Sequence, residues 1–195
     1  MTPKELLQFM EVLARLKDAP RHCKTPGGID ETVAAHSWRI AVMALLMEDS
    51  VPGVDIDKVI RMCLIHDFGE AITGDIPSFL KTAENEETEN TLLRKFVSTL
   101  PAQEAGRLNA LYDEMDAQQT PEARLYRVLD KLEAVISHNE SDIRTWIPLE
   151  YELNRTYAID VAAQFPFTKA LRAQMLADTE EKIQAYGGMP EKEGA

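Results

Sequence analysis

Cysteine is almost absent from this chain, with only Cys23 and Cys63 among 195 residues. That excludes a disulfide-framed secreted scaffold, and Cys63, inside an apolar stretch, reads as a buried free thiol in a reducing cytoplasm. Long hydrophobic runs are missing too. Nothing approaches the ~18 consecutive apolar residues of a membrane span, and Met1-Thr2-Pro3-Lys4-Glu5 carries no secretory apolar core. Positive charge is in deficit: 21 Lys and Arg stand against 33 Asp and Glu, a net charge of -12. So acidic a chain is not a general binder of nucleic acid or anionic membrane. A small anionic substrate remains admissible where a metal ion and a local arginine invert the field. Strand-like alternation is the last absence. Apolar residues recur at three and four residue spacings, so the expected fold class is all-α, a single-domain helical bundle long enough to bury its own core.

A first helix is expected from about Pro3 to Lys17, with the stripe Leu6, Leu7, Met10, Leu13 and Leu16. Pro20, Pro26, Gly27 and Gly28 then predict a loop. Asp30 or Thr32 can cap the next helix, which carries Val33, His36, Ile40, Met43, Leu46 and Met47. Asp55 opens the helix that ends in His66-Asp67. Later helices are expected to start at Pro101 and at Thr120-Pro121, the latter containing Asp130, and to span Pro148 to Gln164 and Pro166 to Tyr186. The polar stretch Glu84 to Glu89 reads as a solvated helix face. The domain is expected to cover residues 1–186, and Gly187-Gly188 opens a polar tail, 187–195, expected to be disordered.

His66 followed directly by Asp67, at the end of the apolar run Val59-Ile60-Arg61-Met62-Cys63-Leu64-Ile65, is the most informative feature. An apolar helix rarely ends in an imidazole beside a carboxylate unless something satisfies both, and a divalent cation would. Glu70 follows four residues after His66 and is therefore expected on the same helical face, and Gly69, Gly74 and Pro77 then break the helix into a loop. Four residues stand out as a metal set: His36, His66, Asp67 and Asp130. Singly, each has a plainer reading. A lone histidine on a helical stripe is more often a hydrogen-bonded core residue, and Asp130 alone could be a surface acid paired with Arg127 or Lys131. Together they make a mixed nitrogen and oxygen sphere suited to Mn, Co, Fe or Zn, with coordination positions left open.

The order His36, His66-Asp67, Asp130 on separate helices resembles the HD-domain metal-dependent phosphohydrolases. The wider pattern is more specific: Arg21 lies fifteen residues before His36, and the pair opens His-Asp-x-x-Glu-x-x-x-Gly-Asp-Ile-Pro. These features, over about Leu6 to His138, resemble the bacterial 5'-deoxynucleotidases of that superfamily. The resemblance implies an HD-type bundle and hydrolysis of (deoxy)nucleoside 5'-monophosphates by attack of a metal-bound water. It implies one divalent ion (Mn, Co, Fe, Zn or Mg) on His36, His66, Asp67 and Asp130. Arg21 matches the arginine that orients the phosphate, Glu70 the glutamate beside the attacking water, and Asp75 an acid near the phosphate and sugar. Ser78 falls in the substrate-contacting stretch beginning at Asp75. One position departs. The relatives place a Trp directly after the arginine, against the sugar, whereas this chain has His22, which weakens discrimination against a ribose 2'-hydroxyl. A homodimer is also implied.

Dinuclear superfamily members add histidines between the His-Asp pair and the last aspartate, and none stands between Asp67 and Asp130. The (p)ppGpp hydrolases, and hydrolases of nucleotide pyrophosphates, are alternatives. The former pair two acids where this chain has Glu70-Ala71. A non-enzymatic helical binding module is the third reading, and a buried carboxylate cluster with no ligand counts against it. His138, on the Asp130 helix, is expected to be structural or to support a ligand. Trp38 reads as core or a subunit contact.

Overall fold

The computed structural model describes residues 1–187. Ten α-helices and a two-stranded hairpin make up the described chain: α1 Pro3–Leu13, β1 Pro20–Lys24, β2 Asp30–Thr32, α2 Val33–Leu46, α3 Ile56–Ile65, α4 Glu70–Thr73, α5 Ala83–Val97, α6 Ala102–Ala117, α7 Pro121–Glu140, α8 Pro148–Thr156, α9 Ile159–Ala162 and α10 Pro166–Tyr186. The all-α class holds, with the hairpin as a local addition. No helix among the described residues is long and apolar enough to cross a membrane.

Two compact units divide the chain: Met1–His22 with Glu31–Tyr126, and Cys23–Asp30 with the chain from Arg127 onward. In the first, Thr2 caps α1 reciprocally with Glu5, Thr32 caps α2 through Ala35 N, and Asp55 caps α3 through Lys58 N. α2 and α3 pack against each other. Met62 and Ile65 of α3 then meet Leu93 and Val97 of α5 and Tyr112 and Met115 of α6. Phe9 of α1 stacks on Phe96 with centroids 4.2 Å apart and planes 3° apart. Each fully buried aliphatic side chain here contributes roughly 1.5–3 kcal/mol relative to exposure. That layer holds the end of α3 rigid. Tyr112 fastens it by donating its hydroxyl to the Ile65 carbonyl at 2.8 Å.

In the second unit Val128, Leu132 and Val135 of α7 pack with Ala162 and Met175. Ile143, Trp146, Tyr151 and Ile183 form a neighbouring cluster.

Several boundaries differ from the sequence reading. α1 stops at Leu13 and tightens into a 3₁₀ turn over Ala14–Lys17. The expected loop after Pro20 is the hairpin, because Thr25 N and Gly28 N close a turn onto the Ile29 and Thr25 carbonyls at 2.8 and 2.9 Å. The helix expected from Pro148 to Gln164 breaks at Ala158, whose φ of 64° is left-handed. Trp38 is not core: it is 63% exposed. Gly187 closes α10 with a left-handed φ of 101°. The rest of the expected tail, 188–195, lies outside the described residues.

Candidate metal centre

Three side chains of the first unit converge. α2 presents His36, which is fully buried, and α3 delivers His66 and Asp67 just past its last turn. Their ligand atoms lie within 4.8 Å of one another, an arrangement able to hold a metal ion. His66 Nε2 is 2.9 Å from Asp67 Oδ2, and His36 Nε2 is 3.9 Å from the same oxygen. The other ring nitrogen fixes the chemistry: His66 Nδ1 lies 2.9 Å from the Cys63 carbonyl. A carbonyl can only accept, so Nδ1 carries the proton, and in the neutral ring Nε2 presents a lone pair towards a carboxylate. Two acceptors at that separation repel unless a proton or a cation stands between them. The donor set therefore fits a divalent ion of the first transition row.

The chain does not continue as one helix to Glu70. α3 ends at Ile65, two tight turns follow, with Phe68 N bonded to Ile65 O and Glu70 N to Asp67 O, and α4 starts at Glu70 itself. Gly69 sits in that turn because Glu89 passes against it: a Cβ there would meet Glu89 Cγ at 2.8 Å. Glu70 is only 5% exposed, and its Oε2 has no hydrogen-bond partner among the described residues. Burial first, then the charges of Asp67, Asp75 and Glu89, push its carboxyl up to about 9, against the opposing field of Lys81. Gly74, at a φ of 75° that favours glycine, ends α4 and turns the chain into Asp75. Burial also raises the half-buried Asp75 carboxyl. Arg21, Lys81 and His36 oppose that shift and Asp67 adds to it, so Asp75 lies within electrostatic reach of all four.

The hairpin supplies Arg21, whose guanidinium meets Glu31 Oε2 at 2.8 Å. The neighbouring His22 is exposed and stands edge-on to Phe79, with centroids 5.5 Å apart and planes at 76°. Ser78 is exposed beside it. Sequence reading missed Glu31, Phe79, Lys81 and Glu89. Lys81 Nζ lies 2.7 Å from Glu89 Oε2, and Glu89 stands in the stretch read as a solvated face. A pairing ten residues apart, as for Arg21 and Glu31, leaves no helical period to read.

The remaining expected ligand, Asp130, is half-buried in the second unit on α7. One turn on, Glu133 is fully buried and accepts from Ser137 Oγ at 2.6 Å. His138 has both ring nitrogens engaged, at 2.8 Å from Ala134 O and 2.7 Å from Glu150 Oε1, which fits the structural role expected of it.

A family model described as HD domain matches residues 13–169. The 5'-deoxynucleotidase HDDC2 of Xenopus laevis is 34% identical over 137 residues, 68% of this chain and 67% of that protein. Its human counterpart is 29% identical over 141 residues, 70% of this chain and 68% of that protein. Among solved structures, a "predicted metal-dependent phosphohydrolase" from Magnetospirillum magnetotacticum superposes with a TM-score of 0.78 at 28% identity, covering 96% of this chain and 95% of that one.

Proposed function

The chain belongs to the HD-domain family, and from that premise we propose that it is a metal-dependent hydrolase removing the 5'-phosphate from nucleoside monophosphates, deoxynucleotides among them. One observation carries the reading: His66 Nε2 and His36 Nε2 converge on one Asp67 oxygen at 2.9 and 3.9 Å, with Arg21 and Asp75 in electrostatic reach of each other. Relatives named as 5'-deoxynucleotidases and a neighbour named as a metal-dependent phosphohydrolase support the substrate class and the metal.

His36, His66, Asp67 and Asp130 are the proposed ligands of one divalent ion; Asp130 is included on the sequence pattern and on the preference of such ions for mixed imidazole and carboxylate spheres. When bound, the ion supplies an acidified water and charge stabilisation for the phosphoryl oxygens. Arg21 offers the planar fork that binds phosphate oxygens, with Glu31 holding its orientation. Glu70 is the proton acceptor. Burial and the charges of Asp67, Asp75 and Glu89 raise this carboxyl; with Asp67 engaged as a ligand its share of that repulsion would fall, and the buried Oε2 could take a proton from the attacking water. Asp75, half-buried and raised, can hold a proton for the departing 5'-oxygen. His22 and Phe79 form an aromatic edge suited to a sugar or base, and Ser78 is a further proposed contact.

We propose further that both units belong to one domain over 1–186, since the family match runs through both. Cys23 and Cys63 form no disulfide with each other, which suits a cytoplasmic setting. The exposed apolar residues Trp38, Leu45 and Leu46 of α2 suit a homodimer, which light scattering would test. The test of function is phosphate release from ribo- and deoxynucleoside monophosphates with Mn, Co, Mg or Zn. Release that requires one of these metals supports the reading, and hydrolysis only of (p)ppGpp or a nucleotide pyrophosphate overturns it.

A further inference from the structure

Two cations near the candidate site, Arg21 and Lys81, are held by glutamates. Arg21 meets Glu31 at 2.8 Å, with side chains 15% and 8% exposed. Lys81 meets Glu89 at 2.7 Å, with side chains 22% and 15% exposed. The first pair belongs to the phosphate reading already given. The second has no role in it, yet drawing two charges largely out of water is costly before their attraction offsets it. The placement is also specific. Glu89 reaches Lys81 from α5 across the backbone of Gly69, between Asp67 and Glu70, and the missing Cβ leaves room for its stem. Burial pulls the Lys81 ammonium down, but the hydrogen bond and charge of Glu89, then the charges of Glu70 and Asp67, together raise it above its ordinary value. In return Lys81 is among the charges acting on both Glu70 and Asp75.

We infer that Lys81 is a second cationic arm for the substrate phosphate, held in place by Glu89 as Arg21 is held by Glu31. An ammonium has three donors, and the contact with Glu89 engages one, so the arm can add phosphate oxygens without leaving its partner. The need for it is electrostatic. A phosphate dianion approaching Asp67, Glu70 and Asp75 meets three carboxyl groups, and Arg21 already faces Glu31. Lysine serves here as a compact point charge, where arginine is a directional fork. The inference rests on the phosphomonoesterase reading, but inorganic phosphate can probe it without turnover.

The experiment uses the full chain loaded with Mn and titrated with inorganic phosphate, read as a shift in thermal unfolding, alongside Mn content. Lys81→Met should weaken phosphate binding by ~10-fold or more, the equivalent of one lost charge-assisted contact, with Mn content unchanged. Lys81→Arg should stay within a few-fold of wild type. Glu89→Gln breaks the same ion pair but keeps the cation, so phosphate binding should hold or tighten. If Lys81→Met binds phosphate as wild type does, or if Lys81→Met and Glu89→Gln lose binding and stability alike, Lys81 is only a latch for α5 and the inference is overturned. A wild type that gives no phosphate response overturns it as well. A wild type that binds phosphate but cleaves no nucleoside monophosphate sinks the nucleotidase reading and leaves the arm standing.

Discussion

Two histidine and carboxylate pairs, one in each unit, use the same chemical groups to opposite ends. In the second unit His138 bonds Ala134 O through Nδ1 and Glu150 Oε1 through Nε2, while Glu150 Oε2 accepts from Ile147 N at 2.7 Å. That pair closes on itself and ties α7 to α8. In the first unit His66 Nδ1 is likewise bonded to a carbonyl and Nε2 likewise faces a carboxylate, Asp67, across 2.9 Å, but a second imidazole stands there too, His36 Nε2, 3.9 Å from the same oxygen. The difference lies in what else converges. A pair closed on itself is architecture, and one that crowds a further imidazole onto the same oxygen needs a cation to hold it together.

The largest effect should come from removing the needy pair. His66→Ala or Asp67→Ala should abolish Mn binding and lower turnover by about 1,000-fold or more, because the charge stabilisation a metal supplies is worth several kcal/mol. Metal analysis after gel filtration and phosphate release check this. The same protein should lose the thermal stabilisation that Mn gives to wild type. Full metal content in either variant would break the contrast between the two pairs. Asp130→Ala is expected to share the phenotype and tests the fourth proposed ligand.

Glu70 sharpens the comparison, since it is buried beside the needy pair without belonging to it. Glu70→Gln should keep the metal and lose ~100 to 10,000-fold in turnover, the usual contribution of a general acid or base. Its pH signature has a definite sign. With the folded carboxyl raised to about 9 from an ordinary 4.5, the metal-free folded state binds more protons than the unfolded chain between those values. The resulting stability is complete below pH 4.5 and is lost as pH rises through 9. Metal-free wild type should therefore unfold at progressively lower temperature over this range, with a shallower slope in Glu70→Gln and on adding Mn. Calorimetry across the range decides it.

His138→Ala should behave oppositely: metal and turnover unchanged, stability reduced. Leaving Glu150 buried without its partner costs about 1–3 kcal/mol or more, and ~2–4 °C of unfolding temperature follows from each kcal/mol in a chain of this size. A loss of metal in this variant would show that the two pairs are coupled.

What the sequence could reveal follows the same division. Caps and helix periods are local, so Thr32, Asp55 and Pro121 marked their helices, and the His-Asp pair at the end of an apolar run marked the site. Helix breaks were harder to read. Nothing in Tyr157-Ala158 signals a left-handed residue, and the turn at 66–69 depends on Glu89 crossing Gly69, a contact made from another helix. The partners of the cations were illegible for that reason too. Glu31 and Glu89 look like surface acids until the hairpin and α5 bring them to Arg21 and Lys81.

The smallest expected effect concerns the sugar. His22 is exposed and stands edge-on to Phe79; as the proposed sugar contact it would offer a narrower and more polar wall than the Trp of the resembling nucleotidases. A hydrophobic pocket rejects an added hydroxyl only weakly, by about 100-fold at best, and an imidazole able to hydrogen-bond that hydroxyl rejects it less. The expected outcome is cleavage of both dAMP and AMP, with a kcat/KM ratio favouring the deoxy substrate less than tenfold. His22→Trp should raise that ratio several-fold, chiefly by lowering kcat/KM for AMP, with metal content untouched. Because Phe79 stands edge-on to position 22, the added indole can pack against it and flatten the wall. Wild type that already ignores AMP would place the discrimination elsewhere in the pocket and remove His22 from the account of selectivity.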